Sequence, residues 1–435
     1  MKTIITFTLT VLLTAVSVAV YAGSLFDTSE CNPCEPVCES IFNTHPRDFN
    51  SCLPCYEAFG CKKRKSLFDS IEFSGWLQGG VYTNTHGATT QRYRAPNAKG
   101  RIVSFQDETS GNSQLLSTVA ATDFQINQLW LNLGKQADTS HGFDWGFEAE
   151  YVFGQDAWIS QSWNDALFDY GWQSGDYYSS IPQLYFQLAY GDWSVKAGKY
   201  ETLVGTESFR AKDFFFYSHS QCFLSEPYSH SGALAEYTPN EKLYAAFGYT
   251  TGGDSSFENR YDDHGVLANV SYQFTPKLNL SYAVLYTRYS NQALYPGLAQ
   301  RGNAGENLYF QTVYANYALS KKITYMFQWD WGGAKLRQDG THRIMYGINN
   351  YLLYHINKNW SIGARAEWAK DKHGDYLGYY GGEFFGLTLG LNWQPHRNLK
   401  LTPEIQYDRT NGSRPFNYGT DAEQVSGGIG ATISF

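Results

Sequence analysis

From about residue 73 onward the chain is a succession of runs, each about ten residues long, in which apolar or aromatic side chains alternate with polar ones. In Phe143–Tyr151, for example, Phe143, Trp145, Phe147, Ala149 and Tyr151 alternate with Asp144, Gly146, Glu148 and Glu150. A period of two belongs to a strand whose two faces meet different surroundings. Ile323, Tyr325, Phe327, Trp329 and Trp331 repeat the pattern with Gln328 and Asp330 on the opposite face, and Trp360–Trp368 and Leu399–Tyr407 repeat it again. Short turns such as Gly191-Asp192, Thr275-Pro276-Lys277 and Asn357-Lys358-Asn359 take turns with long stretches rich in Gly, Asp and Ser. Those stretches are 86–121, 154–180, 201–229, 253–263, 290–306, 370–383 and 410–422. Strict alternation of short turns and long loops predicts an all-β fold over residues 70–435. The expected form is a transmembrane antiparallel up-and-down β-barrel of about 16 strands, with both strand-chain ends and the short turns on the periplasmic side. The last run, Val425–Phe435, ends on an aromatic residue of the kind that barrel-insertion machinery reads.

Composition sharpens the membrane reading. Aromatic residues make up 17% of the chain, with 34 Tyr, 28 Phe and 12 Trp, against 3 Met and 13 Pro. Mean hydropathy is nevertheless −0.42, so past residue 22 no stretch has the continuous apolar character of a membrane helix. Strands that send alternate residues to lipid satisfy both facts, because a closed barrel bonds every backbone group without a continuous apolar run. The formal charge of −8 argues against a nucleic-acid partner. Met1-Lys2 followed by the apolar run Ile4–Val20 and then Val20-Tyr21-Ala22 reads as an export signal, residues 1–22, cleaved after Ala22.

Residues 198–232 carry a more specific likeness. Gly198-Lys199-Tyr200-Glu201-Thr202-Leu203-Val204-Gly205-Thr206-Glu207 precedes Phe215-Phe216-Tyr217-Ser218 and Pro227-Tyr228-Ser229-His230-Ser231-Gly232, and Gly75-Trp76 opens the first strand. This resembles the β-barrel porin-2 family, the OmpL-like outer-membrane porins, from about residue 70 to 435. The resemblance implies an outer-membrane porin: a water-filled channel for passive diffusion of small hydrophilic solutes and ions, with no catalytic signature and no cofactor. It says nothing about the cysteine-rich segment before residue 66. The size of the barrel leads us to expect a homo-oligomer, a trimer by analogy with general porins.

In this reading 201–229 is the third long loop, the position at which general porins fold a loop inward. Glu201, Glu207, Arg210, Lys212, Asp213 and Glu226 are its charged residues and the expected constriction. Strand parity sends Glu148, Glu150, Glu236, Asp330, Glu367, Glu404 and Asp408 into the lumen, against Lys196, Arg365 and Lys400. That excess of acid predicts mild cation selectivity, subject to register, since one slip moves every residue to the other face. Inward glycines such as Gly146, Gly363 and Gly428 favour an open lumen. The alternative is a plugged structural or adhesive barrel, anchored by its periplasmic segment.

Residues 23–69 form the periplasmic segment and hold Cys31, Cys34, Cys38, Cys52, Cys55 and Cys61. Two C-x-x-C spacings admit zinc, but six cysteines in an exported segment point to disulfides, with the pairing open. Lys62–Lys65 reads as a solvated basic linker that can also meet anionic headgroups. Cys222 is left over in the third loop, as a free buried thiol or a link to another chain. Ser218-His219-Ser220 and Ser229-His230-Ser231 are the only sequences that invite a hydrolase reading, and no Asp is placed to orient either histidine. Glu306–Gln311 matches a viral protease recognition sequence inside an alternating strand, so the folded barrel should stay intact when incubated with that protease, whereas the denatured chain should be cut.

Overall fold

A computed structural model describes residues 70–86, 91–96, 102–108, 124–162, 169, 177–257, 264–289, 306–335, 342–371, 382–412, 414, 416–417 and 420–435. Residues 1–22 (read as an export signal), the six N-terminal cysteines and Lys62–Lys65 lie outside the described residues.

The wall begins with β1 (Glu72–Asn84), β2 (Phe124–Lys135) and β3 (Phe143–Gly154). β4 comes in two pieces, Tyr178–Ser180 and Leu184–Tyr190, both paired to β3. β5 (Trp193–Glu201), β6 (Ser229–Asn240), β7 (Leu243–Thr250), β8 (Gly265–Thr275) and β9 (Leu278–Tyr289) follow. The circuit continues through β10 (Glu306–Ala318), β11 (Ile323–Lys335), β12 (His342–His355) and β13 (Trp360–Asp371). β14 (Gly382–His396), β15 (Leu399–Asn411) and β16 (Glu423–Ser434) complete it. The sheet has 17 hydrogen-bonded segments, which make sixteen strands because two of them are the halves of β4. A separate two-stranded hairpin, Gln91–Pro96 with Ile102–Glu108, sits in the first long loop.

Every strand is antiparallel to its neighbours, and β16 pairs back onto β1 with Leu77 opposite Ile433 and Val81 opposite Ile429. The Phe435 amide donates to the Gly75 carbonyl at 2.9 Å and Gly75 donates back at 3.0 Å, so the terminal aromatic residue seals the seam. Any side chain at Gly75 would meet the Phe435 ring. Closure leaves no edge, which is what a sheet in hydrocarbon requires.

Alternation sorts the side chains as the sequence pattern predicts. On β13, Ile362 is 44% exposed on the outer face while Arg365 and Asp371 on the other are fully buried. Leu188, Val195, Leu352, Leu387, Leu389, Ile405 and Ile433 form the outward apolar band. Stacked aromatic pairs, Trp193–Tyr237 at 4.4 Å and Trp360–Trp393 at 5.2 Å, stand at the short-turn end as an interfacial girdle would. β10 includes Glu306–Gln311, so the protease-like sequence is main-chain paired to both neighbours.

Candidate functional site

The segment between β5 and β6, residues 202–228, runs across the barrel interior. Its base is closed by Thr202 N–H donating to Tyr228 O at 2.8 Å. Gly205 takes φ +81, a left-handed conformation that suits a residue without Cβ. Near its far end the loop makes one helical turn, α1 (Gln221–Ser225), whose N-cap is the Ser220 hydroxyl accepting from Phe223 N–H at 3.2 Å.

The loop first meets β1 and β2. Trp76 and Trp130 stack with centroids 4.8 Å apart, and Phe209 packs edge-on against Trp130. Gln128 holds this corner: its carbonyl accepts from Trp76 Nε1 at 3.0 Å and Ala211 N–H at 3.1 Å, and its amide donates to Phe209 O at 2.9 Å. Arg210 bridges two wall carboxylates, 2.6 Å to Glu150 and 2.8 Å to Glu201. The Tyr228 hydroxyl donates to the second oxygen of Glu201 at 2.8 Å.

Farther round, charged wall residues grip the loop's main chain. The Lys400 ammonium donates to the carbonyls of Ala211, Lys212 and Phe214 at 2.7, 3.0 and 2.7 Å. Glu404 accepts from the amides of Tyr217 and Ser218 at 2.8 and 3.1 Å. Arg365 donates to Ser218 O at 2.7 Å and His219 O at 3.2 Å, and Glu367 accepts from Gln221 N–H at 2.8 Å. Asn349 reaches the Ser220 hydroxyl at 2.8 Å, and Gln328 accepts from Thr206 N–H at 3.0 Å. From its exit beside β5 the loop is thus tied to β1, β2, β15, β13, β12 and β11. Hydrogen bonds that involve a charged partner are about twice as strong as neutral ones, so this mode of attachment fixes a segment in an otherwise watery space.

Glu207 is the hub of the loop itself. Its carboxylate meets His219 Nδ1 at 2.9 Å, accepts from Ser220 N–H and from the Tyr351 hydroxyl, and lies 3.9 Å from Arg365. His219 is sandwiched between Phe214 and Phe223, with centroids at 4.8 and 4.0 Å. Burial raises the Glu207 pKa, but the His219 hydrogen bond and the nearby Arg365 charge outweigh it and bring it from 4.5 to about 2. A folded-state value below the unfolded one means stabilisation that is present above pH 4.5 and lost as the pH falls through about 2. We therefore expect loop attachment, read as protease resistance of the folded barrel, to hold at pH 5 and weaken progressively below about pH 4; unchanged resistance at about pH 2 would contradict this role for Glu207.

All the wall charges expected inside, Glu148, Glu150, Lys196, Glu236, Asp330, Arg365, Glu367, Glu404, Asp408 and Lys400, sit on one face of their strands, and all but Glu148 and Lys400 are buried. They are engaged rather than ringed around open water. Lys196 pairs with Glu236 at 2.8 Å, Arg365 with Glu367 at 3.3 Å, and Asp408 accepts from Gln406 and Gln424. Of the loop charges, Lys212 and Asp213 pair with each other at 2.7 Å and are the more exposed, while Glu226 accepts from Gln328 at 2.5 Å. Of the inward glycines expected to leave open space, Gly363 departs from expectation, and Gly390 and Gly430 share its reason; Gly146 and Gly428 meet wall atoms instead. A side chain at Gly363 would strike Phe215, one at Gly390 would strike Phe216, and one at Gly430 would strike Tyr217. These positions are small because loop aromatics occupy the space, not because the lumen there is empty. Sequence reasoning placed Gln328 on the inner face but missed Trp76, Trp130, Gln128, Asn349 and Tyr351, although strand parity alone places Gln128 there too.

Neither histidine candidate faces a catalytic serine. His219 is committed to Glu207, and Ser218 Oγ to Gln406 at 3.0 Å. His230 bonds Thr202 Oγ1 at 3.1 Å and Gly252 O at 3.2 Å. Cys222 is free and buried.

A closed sixteen-strand barrel with one long loop laid across its interior defines the class of outer-membrane channel barrels. The chain belongs to the family described as "Putative beta-barrel porin-2, OmpL-like", whose sequence model matches residues 70–435. Solved structures agree on the fold. The anion-selective porin from Comamonas acidovorans superposes with a TM-score of 0.55 at 13% identity, over 84% of this chain and 99% of that one. The outer membrane channel DcaP of Acinetobacter baumannii gives 0.53 at 12% identity, over 84% and 97%. The trimer form of OmpT from Vibrio cholerae gives 0.51 at 10% identity, over 84% and 99%. Among curated proteins none matches the chain.

Proposed function

We propose that the barrel is a passive diffusion porin of the outer membrane whose pore is narrowed by residues 201–229. The observation that carries this reading is the grip of Lys400, Glu404, Arg365 and Glu367 on the loop's main chain, which holds it inside the lumen rather than over the mouth. Solutes then pass by size through the space the loop leaves, with no cofactor or energy source. The short turns face the periplasm, together with residues 23–69, and the long loops face outward. The acidic excess on the inner wall supports a mild preference for cations. The preference stays mild because Glu150, Glu236 and Glu367 are paired with cations and Asp330, Glu404 and Asp408 are taken up by hydrogen bonds, while Glu148 remains partly exposed. The trimer form of the similar OmpT supports a homo-oligomer here.

Liposomes carrying the full chain and swollen in sugars of graded size test the proposal. Swelling that falls off sharply with solute size is expected. The complete burial of Asp330, Asn349, Arg365 and Asp408 favours a second reading, a plugged barrel, and swelling no faster than that of empty liposomes would favour it.

A further inference from the structure

The loop's return limb, just before β6, is attached differently from the rest. Glu226 is set on the Gly205 turn, and its Oε1 accepts from the Gln328 side-chain amide at 2.5 Å. The same amide nitrogen donates to Asp330 Oδ2 at 2.7 Å. One neutral amide therefore joins two carboxyl groups, the half-buried one of Glu226 from the loop and the fully buried one of Asp330 from the wall. The groups facing them are the Cys222 thiol and Glu207 from the loop, and Glu367 from β13. Among the described residues, no lysine, arginine or histidine forms an ion pair with either Glu226 or Asp330, because Arg365 is taken by Glu367 and Ser218 and His219 by Glu207.

Two carboxylates cannot both be ionised in a buried site without a cation. The arrangement is stable when the pair retains a proton and unstable when it loses it. We propose that Glu226 and Asp330 form a proton-dependent latch that holds the return limb of the loop against the wall at neutral pH and releases it in alkaline solution, widening the pore. The inference rests on the loop being the constriction. The limb carries its own reporter, because Cys222 Sγ fills the space over Gly347 beside the same Asp330.

The sign follows from burial. Burial, then the Asp330 and Glu207 charges, push the Glu226 carboxyl well above the ordinary carboxylate range, against the Gln328 hydrogen bond. A raised folded-state value means a contribution whole below the unfolded pKa of 4.5 and lost as the pH rises through the folded value. With one proton linked to opening, the released population grows about tenfold per pH unit across the transition.

The test uses the full chain in bilayers, with two readouts taken from about pH 6 to about pH 10. The first is single-channel conductance. The second is labelling of Cys222 by a water-soluble maleimide, compared at each pH between the native chain, Glu226→Gln and Asp330→Asn. The native chain should gain conductance and expose Cys222 as the pH rises. The two variants, checked for folding by heat-modifiability, should stay closed and protected at the same pH. Equal labelling of native and variant chains at alkaline pH overturns the latch, and so does a native chain whose labelling merely follows the ordinary ionisation of a thiol. Exposure of Cys222 in a barrel that carries no current would leave the latch standing and remove the channel reading instead.

Discussion

Deleting residues 208–222 should raise single-channel conductance several-fold while leaving the barrel folded. The deletion removes Phe209, Arg210 and the whole 211–222 run, and with them every main-chain bond the loop makes to Lys400, Glu404 and Arg365. None of the strand pairing passes through this segment, since β5 and β6 are bonded directly, Trp193 opposite Tyr237 and Glu201 opposite Ser229. The wall charges left behind would face water, which can hydrate them, so the cost falls on the lumen's contents and not on the sheet. Conductance equal to that of the native chain, from a barrel shown to be heat-modifiable, would mean that the loop does not define the narrowest point.

The second large effect belongs to Arg365→Met. Arg365 is fully buried, and it neutralises Glu367 at 3.3 Å while holding two loop carbonyls and the Thr388 hydroxyl. Methionine keeps much of the volume and none of the charge. Removing one partner of a buried ion pair costs about 3–5 kcal/mol, because the other charge is left uncompensated. Here the loop-docked state should bear that cost, so the variant should show noisy, frequently interrupted current and earlier protease cutting within 202–228. The double variant Arg365→Met with Glu367→Gln should recover part of the native behaviour, since the stranded carboxylate is gone. A single variant as quiet and as protease-resistant as the native chain would show that Arg365 does not anchor the loop.

The wall was legible in the sequence because a strand's period of two writes its facing directly into residue order. Ile362 and Arg365 on β13 needed no knowledge of their neighbours to be assigned to lipid and lumen. The path of the loop was not legible, for a physical reason. Glu404 holds the amides of Tyr217 and Ser218 across nearly 190 positions of chain, and main-chain donors carry no residue signature. Trp76 and Trp130 were hidden by their chemistry: an aromatic residue in an alternating strand reads as lipid-facing, yet both turn inward to stack under Phe209. Gly363 misled in a similar way, because its missing side chain leaves room that Phe215 fills from a distant segment. The break in β4 between Ser180 and Leu184, by contrast, is marked in the sequence by Pro182, which has no N–H to give the ladder.

Single-channel conductance of the refolded full chain in a planar bilayer, with a salt gradient across it, tests the central claim most directly. A narrowed porin predicts stable ohmic steps and a reversal potential of the sign that favours cations. A barrel that inserts, is heat-modifiable and carries no current would contradict the channel and leave a plugged wall protein in its place.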